Sequence, residues 1–325
     1  FWAKNRELCL VLMAQLCGAL MDTATRILEL EGDGMHPLQI LFARMGLTMI
    51  GCCIWMLWKA VPDSPFGVEN VRWLLVGRGL FGFIGTYGSY YSLQYLPVAD
   101  AVVLTFLAPS IASYACYLFL NEPFARSAQY ASLVSLLGVL LIARPTSIFT
   151  TTISPISNPI NRTSTTSDTA FKPPTSAQRI SGVGLAMLGV LGSAAVYTII
   201  RWIGSRAHPL ISVNYFATWS TIVSTVSLTL PIPSFPSFAA PANLRQWIML
   251  ISLGICGFLS QFFLTSGLAT GGRRNGARAT NMVYARVLFA LALDKLVFGL
   301  NPGWWSLAGS GLILSSVIIV TMQKQ

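Results

Sequence analysis

Long apolar runs follow one another along this chain, separated by short joins rich in Gly and Pro. A helix needs about 20 mostly apolar residues to span a bilayer, and ten runs are read as spans. They are roughly 7–28, 37–58, 73–93, 97–120, 127–143, 180–201, 209–230, 245–268, 277–298 and 303–321. Proline sits near the start of several (Pro37, Pro97, Pro209, Pro302), where its missing N–H costs nothing. The runs lack two-residue alternation, which excludes a membrane barrel. Of the 325 residues only 10% are charged and 54% are hydrophobic, whereas a water-facing surface needs roughly 25% charged residues. The expected fold is an all-α membrane protein with ten transmembrane helices.

Residues 144–179 form the one long connection. They are dense in Ser, Thr and Pro, a composition that buries too little apolar area to fold. Five spans precede this linker and five follow it. Because five is odd, two homologous halves must insert in opposite orientations, the inverted-repeat plan of many transporters. Residues 1–143 are then the first five-helix repeat and 180–325 the second. The internal likeness is faint: Ala99-Asp100-Ala101 opens span four and Ala277-Arg278-Ala279 opens span nine.

Charge fixes the expected orientation, since short cytosolic loops collect Lys and Arg. A cytosolic N-terminus gives that side Lys4, Arg6, Lys59, Arg72, Arg126, Arg201, Arg206, Arg273, Arg274, Arg278 and Lys324. The other side receives Arg26, Arg245 and Lys295 outside the linker. Both termini are therefore expected in the cytosol, in the plasma membrane or an endomembrane. The linker falls on the lumenal or extracellular side, where Asn161-Arg162-Thr163 is a glycosylation sequon. The net charge of +10 is too scattered for a nucleic-acid patch. All six cysteines lie in apolar runs, so free buried thiols are expected. The chain starts at Phe1, as a chain with a trimmed tail would, and its first apolar run continues to about Ile27 without a cleavage site, so it reads as a retained span.

Glycine stripes in span three (Gly79, Gly82, Gly85, Gly88) and span six (Gly182, Gly189, Gly192) are read as close-packing surfaces. Polar stripes should face inward, because lipid has no use for them: Gln15, Asp22 and Arg26; Tyr87, Tyr91 and Gln94; Ser193, Tyr197 and Arg201; Asn214, Thr218, Thr221 and Thr225. Interhelical hydrogen bonding is the plainer account of the tyrosines and threonines. Arg44, Arg78 and Arg286 lie within spans, where a charge costs at least about 2.5–3.5 kcal/mol. Arg78 sits close to a helix end and is read as snorkelling. For the deeper Arg44 and Arg286, pairing with an acid such as Asp22 and contact with a solute both stay open. Candidate solute contacts are Asp22, Arg44, Tyr87, Tyr91, Gln94, Tyr197, Asn214, Asn281, Tyr284 and Arg286. The interior count, Asp22 and Asp100 against Arg26, Arg44 and Arg286, favours an anionic or strongly polar solute. With two histidines (His36, His208), no phosphate-binding loop and no nucleophile motif, neither an enzyme nor a metal or cofactor site is expected.

The segment from Tyr90-Tyr91-Ser92-Leu93-Gln94-Tyr95-Leu96-Pro97-Val98-Ala99-Asp100-Ala101 through Leu104-Thr105-Phe106-Leu107-Ala108-Pro109 to Leu120-Asn121-Glu122-Pro123 resembles EamA-type drug/metabolite transporters. So do Arg44 and Arg78-Gly79. Leu288-Phe289-Ala290-Leu291, Asp294-Lys295-Leu296 and Gly309-Ser310 look like fungal and animal members, akin to the G branch of the nucleotide-sugar-transporter-like solute carriers. The second half lacks a proline matching Pro109 and a Glu-Pro matching Glu122-Pro123. The resemblance implies ten helices, a central cavity between halves and alternating access. It also implies that helices five and ten form the scaffold and often a homodimer contact. The expected function is secondary transport of a small polar, anionic metabolite; the competing expectation is a non-transporting membrane scaffold or regulator. Spans three, four, eight and nine are expected to line the cavity, with five and ten peripheral.

Overall fold

The structure is a computed structural model that describes residues 6–30, 37–92, 104–121, 126–143, 176–229, 241, 243–270, 278–298 and 304–322. Every extended element among them is helical. Ten α-helices follow in order: α1 (Arg6–Leu30), α2 (Pro37–Trp58), α3 (Arg72–Ser92), α4 (Ala108–Leu120), α5 (Arg126–Ala143), α6 (Ser176–Ile203), α7 (Pro209–Thr229), α8 (Leu244–Thr270), α9 (Ala285–Phe298) and α10 (Trp304–Met322). The linker, Asn161 within it, and Gln94 and Asp100 lie outside the described residues.

Among the described residues, four segments are long and apolar enough to cross a membrane on length and composition alone: Arg6–Thr25, Gln39–Trp58, Ser181–Arg206 and Leu244–Thr270. Shorter apolar helices run over Ala108–Leu120, Gln129–Leu141 and Leu307–Ser316. Hydropathy by itself therefore supports fewer spans than the ten runs read from sequence. Two of those runs are interrupted: residues 104–105 and 278–281 are helical, ahead of a turn at 106–107 and a 3₁₀ turn at 282–284. α4 begins only at Ala108, with Pro109 in its first turn, because proline has no N–H for the helix ladder and its ring clashes with the preceding turn. α9 is preceded by a 3₁₀ turn, Met282–Tyr284, whose tighter winding breaks the helix without a proline. Large rings stand exposed near helix ends, Trp58, Trp73, Trp247, Trp304 and Trp305 among them, where an amphipathic indole suits the edge of a bilayer.

Helix pairing is reciprocal. α3 packs on α6 and α1 on α8; α2 packs on α7 and α5 on α10; α3 also meets α7 as α8 meets α2; and α4 meets α6 as α1 meets α9. The glycine stripes explain the closest approach. A Cβ on Gly88 would lie 2.7 Å from Gly189 Cα, and one on Gly192 would lie 2.7 Å from Gly85 N. Only a hydrogen atom fits there, so the two stripes read from sequence pack against each other. A similar i, i+3 pair recurs in α8. Gly79 and Gly82 of α3 receive Tyr215, Phe216 and Trp219 of α7, while Gly254 and Gly257 of α8 receive Leu47 and Arg44 of α2. Close backbone contact of this kind supplies the van der Waals attraction that apolar burial cannot supply in lipid.

Candidate functional site

Where α1, α2, α3, α6, α7, α8 and α9 converge they leave a cavity of about 450 Å³, capped by Thr105, Phe106 and Pro109 at the start of α4. No described lining residue comes from α5 or α10. α8, α9 and the α3–α4 segment contribute as expected, and α1, α2, α6 and α7 contribute as well.

Four charged side chains stand among the described lining residues: Asp22, Arg44, Arg78 and Arg286. Arg286 grips Asp22 with two prongs of its guanidinium, Nε–H donating to Oδ2 at 2.9 Å and Nη2–H to Oδ1 at 2.7 Å. This bidentate fork is the strongest geometry available to a guanidinium and a carboxylate. Both partners keep part of their surface open, 34% for Arg286 and 49% for Asp22. Arg78, by contrast, is 1% exposed. Its Nη2–H donates to Gln261 Oε1 at 3.0 Å and its guanidinium lies 4.6 Å from the centre of the Phe216 ring. Snorkelling is not what this side chain does. It turns inward and bridges α3 to α7 and α8, using an amide oxygen and a ring face to offset the loss of water.

Each arginine also sits over a glycine. A Cβ on Gly18 would lie 3.3 Å from Arg286 Cζ, one on Gly257 3.3 Å from Arg44 Nε, and one on Gly82 2.7 Å from Arg78 Nη1. The glycines give room for three bulky cations in one chamber. Around them stand neutral donors and acceptors: Gln15, Thr86, Ser89, Ser193, Tyr197 and Ser260. Such a set can hold an anion by charge and fix its orientation by hydrogen bonds. Among the described residues no cluster of His, Cys, Asp and Glu is placed to hold a metal.

Of the expected contacts, the structure brings together Asp22, Arg44, Tyr197 and Arg286 at the cavity, while Tyr87, Asn214, Asn281 and Tyr284 are not among its described lining residues. Tyr284 is completely buried and faces away from the chamber. Its hydroxyl shares hydrogen bonds with Ser110 at 2.7 Å and Ser132 at 3.3 Å, and its ring stacks on Phe106 at 5.9 Å. Asn281 is buried one residue ahead of the same 3₁₀ turn. Asn214 is buried with the Cys53 thiol 3.7 Å from its Oδ1, so it belongs to the α2–α7 seam. Tyr87 stacks on Phe83 at 5.7 Å and does not line the cavity. Tyr91 lies in α3, but its side chain is outside the described residues. The threonine stripe of α7 opens outward only at its far end: Thr218 and Thr221 are half-buried, whereas Thr225 is exposed and donates to the Thr221 carbonyl. Arg78 and Gln261 are the partners that sequence reasoning missed. Glycines at 79 and 82 were the available signal, since they mark the faces where something bulky is received.

A helical bundle with belt-like tryptophans and a charged chamber at its centre is the build of a polytopic membrane transporter. The EamA-like transporter family model matches residues 5–144 and again 180–322, and the chain belongs to that family. A probable transport protein of Saccharomyces cerevisiae is 35% identical over 97% of this chain and 88% of its own. An uncharacterised membrane protein of the same yeast is 38% identical over 97% and 75%. Solute carrier family 35 member G1 of Homo sapiens is 23% identical over 99% and 82%. One solved crystal structure shares the fold, with a TM-score of 0.72 over 98% of each chain at 14% identity. The protein is a multi-pass membrane transporter.

Proposed function

We propose that the chain is a secondary transporter that carries a small anionic metabolite through this cavity by alternating access. The observation that carries the reading is the composition of the chamber: three arginines and one aspartate among its described lining residues. A neutral solute would not offset the cost of holding that excess of cation inside a membrane. Asp22, Arg44, Arg78, Tyr197 and Arg286 are the side chains proposed to contact it.

The proposed architecture is ten spans in two inverted five-helix repeats, 1–143 and 180–325. Exchanging the first five helices for the second five turns α1–α8 into α6–α3, α3–α7 into α8–α2 and α4–α6 into α9–α1, and leaves α2–α7 and α5–α10 in place. Each of these contacts is present. The family model's two matches, one on each side of the linker, support the same division. Five helices per half then put the halves in opposite orientations, with both termini cytosolic, the linker on the other side and Asn161 a glycan acceptor. The α5–α10 pair, outside the cavity, is the proposed scaffold.

Uptake of a panel of radiolabelled carboxylates, phosphates, sugars and amines into proteoliposomes tests the function. Transport confined to anions, lost in Arg286→Lys at normal yield, is the expected result, because an ammonium cannot reproduce the two parallel bonds of the fork. Transport of cations or neutral sugars alone would refute the anionic reading.

A further inference from the structure

Asp22 is the one carboxylate among the described lining residues of the cavity. It joins the two halves of the chain, since it stands on α1 and Arg286 on α9. Its oxygens occupy Nε–H and Nη2–H of Arg286 at 2.9 and 2.7 Å, the pose in which a guanidinium receives any carboxylate. A solute carboxylate at Arg286 and the Asp22 carboxylate therefore compete for the same two donors. The pair also occurs once. With α1 set against α6, Asp22 corresponds to Tyr197, and with Ala99-Asp100-Ala101 set against Ala277-Arg278-Ala279, Arg286 corresponds to Ala108.

We propose that Asp22 is a resident stand-in for the solute's carboxylate: it occupies Arg286 when the carrier is empty and yields it when a carboxylate-bearing solute enters. The consequence is a transport mode. A carrier that alternates must close its cavity in both the loaded and the empty form. Closing a guanidinium away from water without a counter-anion is costly, and in a membrane no solvent makes up the loss. The solute supplies the anion in the loaded form and Asp22 supplies it in the empty one. The empty carrier can therefore return, and the protein performs net transport instead of obligatory exchange. Among the described residues, the other groups facing the pair do not replace this carboxylate. Arg44 and Arg78 are cations, Tyr197 is a phenol, and α8 offers Ser260, Gln261 and Leu264. The inference rests on the alternating-access reading above.

The test needs no solute. Ser89 lines the cavity. In the Ser89→Cys protein, reconstituted in one orientation, the labelling rate by a small impermeant methanethiosulfonate is measured from each face. Mass spectrometry reads residue 89 separately from the six native cysteines. Reaction from both faces is expected with Asp22 and Arg286 intact. Asp22→Asn should slow labelling from one face at least tenfold and leave the other unchanged. Arg286→Gln, which strands the carboxylate instead, should lock the carrier in the same way, and serves if Asp22→Asn does not fold. The double variant Asp22→Asn/Arg286→Gln should label from both faces again. Two-sided labelling in both single variants overturns the stand-in role and leaves alternating access standing. A lock that the double variant fails to release also overturns it. One-sided labelling in the parent overturns alternating access, and this inference with it.

Discussion

Two seams occupy corresponding places in the bundle, α3 against α6 and α1 against α8, and they are built differently. Across α3–α6 backbone lies on backbone: added Cβ atoms at Gly88, Gly189 and Gly192 would meet main-chain atoms at 2.7–3.0 Å. α1–α8 is equally tight at one end, where Gly267 faces the Glu7 carbonyl at 2.9 Å. At its cavity end, however, Gly18 faces side chains, Arg286 and Ser260 at 3.3–3.4 Å. A hydrogen bond from the Ser260 hydroxyl to the Ala14 carbonyl at 3.0 Å crosses the same stretch. At Gly88, Gly189 and Gly192 the first seam offers no side chain that can rotate out of the way, and only at its cavity end does Gly85 face a side-chain atom, Ser193 Oγ at 2.8 Å. The second ends in long side chains that can move, and one of them belongs to the ion pair. The two seams thus differ at their cavity ends, where one meets a serine hydroxyl and the other meets a serine and the arginine of the ion pair.

Replacing glycines one by one would break this comparison with the largest effect. Gly88→Ala forces the α3 and α6 backbones apart, and overpacking of that kind costs about 3 kcal/mol. The melting temperature in detergent should fall by roughly 4–5 °C, or the protein should fail to accumulate. Gly18→Ala pushes only on the Arg286 guanidinium and the Ser260 hydroxyl, so the melting temperature should fall by about 3 °C or less while anion uptake drops severalfold. Equal losses of stability in the two variants would mean the seams are alike.

Charge is the second contrast between the halves. With Gly79 and Gly82 set against Gly254 and Gly257, Arg78 of α3 corresponds to Leu253 of α8, and Arg44 of α2 corresponds to Phe216 of α7. From the helix packed across them, the matched glycine pairs receive rings of α7 on one side and Leu47 and the Arg44 cation of α2 on the other. Arg78→Met keeps most of the bulk and an apolar contact with Phe216, but removes the cation over the ring and leaves the Gln261 carbonyl without its donor. That should lower stability by about 1–3 kcal/mol and anion uptake at least tenfold, read by thermal unfolding and by proteoliposome flux. Uptake unchanged in a well-folded Arg78→Met protein would confine the anion site to Arg44 and Arg286.

How far the sequence can be read follows the same lines. The helical scaffold is legible because lipid leaves a strong compositional mark, and Pro109 marks the late start of α4. The corresponding break before α9 carries no proline, and a 3₁₀ turn has no comparable signature. Depth along the helix misleads for Arg78. What decides its role is the face it occupies, between α7 and α8, and depth does not report that. Closeness in sequence to Arg286 makes Tyr284 look like a contact, yet two residues along a tight turn point in different directions. Its partners Ser110 and Ser132 lie in the other half of the chain, where no spacing rule connects them. Asp22 and Arg286 are both recognisable as inward charges, and only the fold shows that they meet.

Tyr284 sharpens the comparison on a smaller scale. The equivalent position in the first half is Phe106, and the two rings stack at 5.9 Å. One half therefore presents a phenol and the other a plain ring. Tyr284→Phe removes the hydroxyl from the cluster with Ser110 and Ser132, which share their own hydrogen bond at 2.6 Å. Because those two serines still satisfy each other, the expected loss is about 1 kcal/mol, with uptake retained. Adding Ser110→Ala takes away the remaining partner of the Ser132 hydroxyl and should cost more than Tyr284→Phe alone; an equal loss would show that the serine pair contributes nothing.

The smallest contrast lies at the starts of α2 and α7, which open on Pro37 and Pro209 after His36 and His208. His208 is exposed by area, yet the part of its ring that is buried holds its pKa below the usual histidine value. The neutral form is the one the helix start uses, because Leu210 N–H donates to His208 Nδ1 at 3.3 Å. His208 thus caps one of the amides that a helix start leaves without a partner. A protonated imidazole has no acceptor left at that nitrogen. Since the folded pKa lies below the unfolded one, the folded state binds the proton less readily. The contribution is fully present above the unfolded value of about 6.5 and is lost as pH falls through the folded one. His208→Asn keeps an oxygen acceptor at the same helix start and removes the titration. Between pH 7.5 and pH 5 the parent's melting temperature should therefore drop by about 1 °C more than that of His208→Asn. Parallel pH profiles for the two proteins would show that the imidazole does not cap α7.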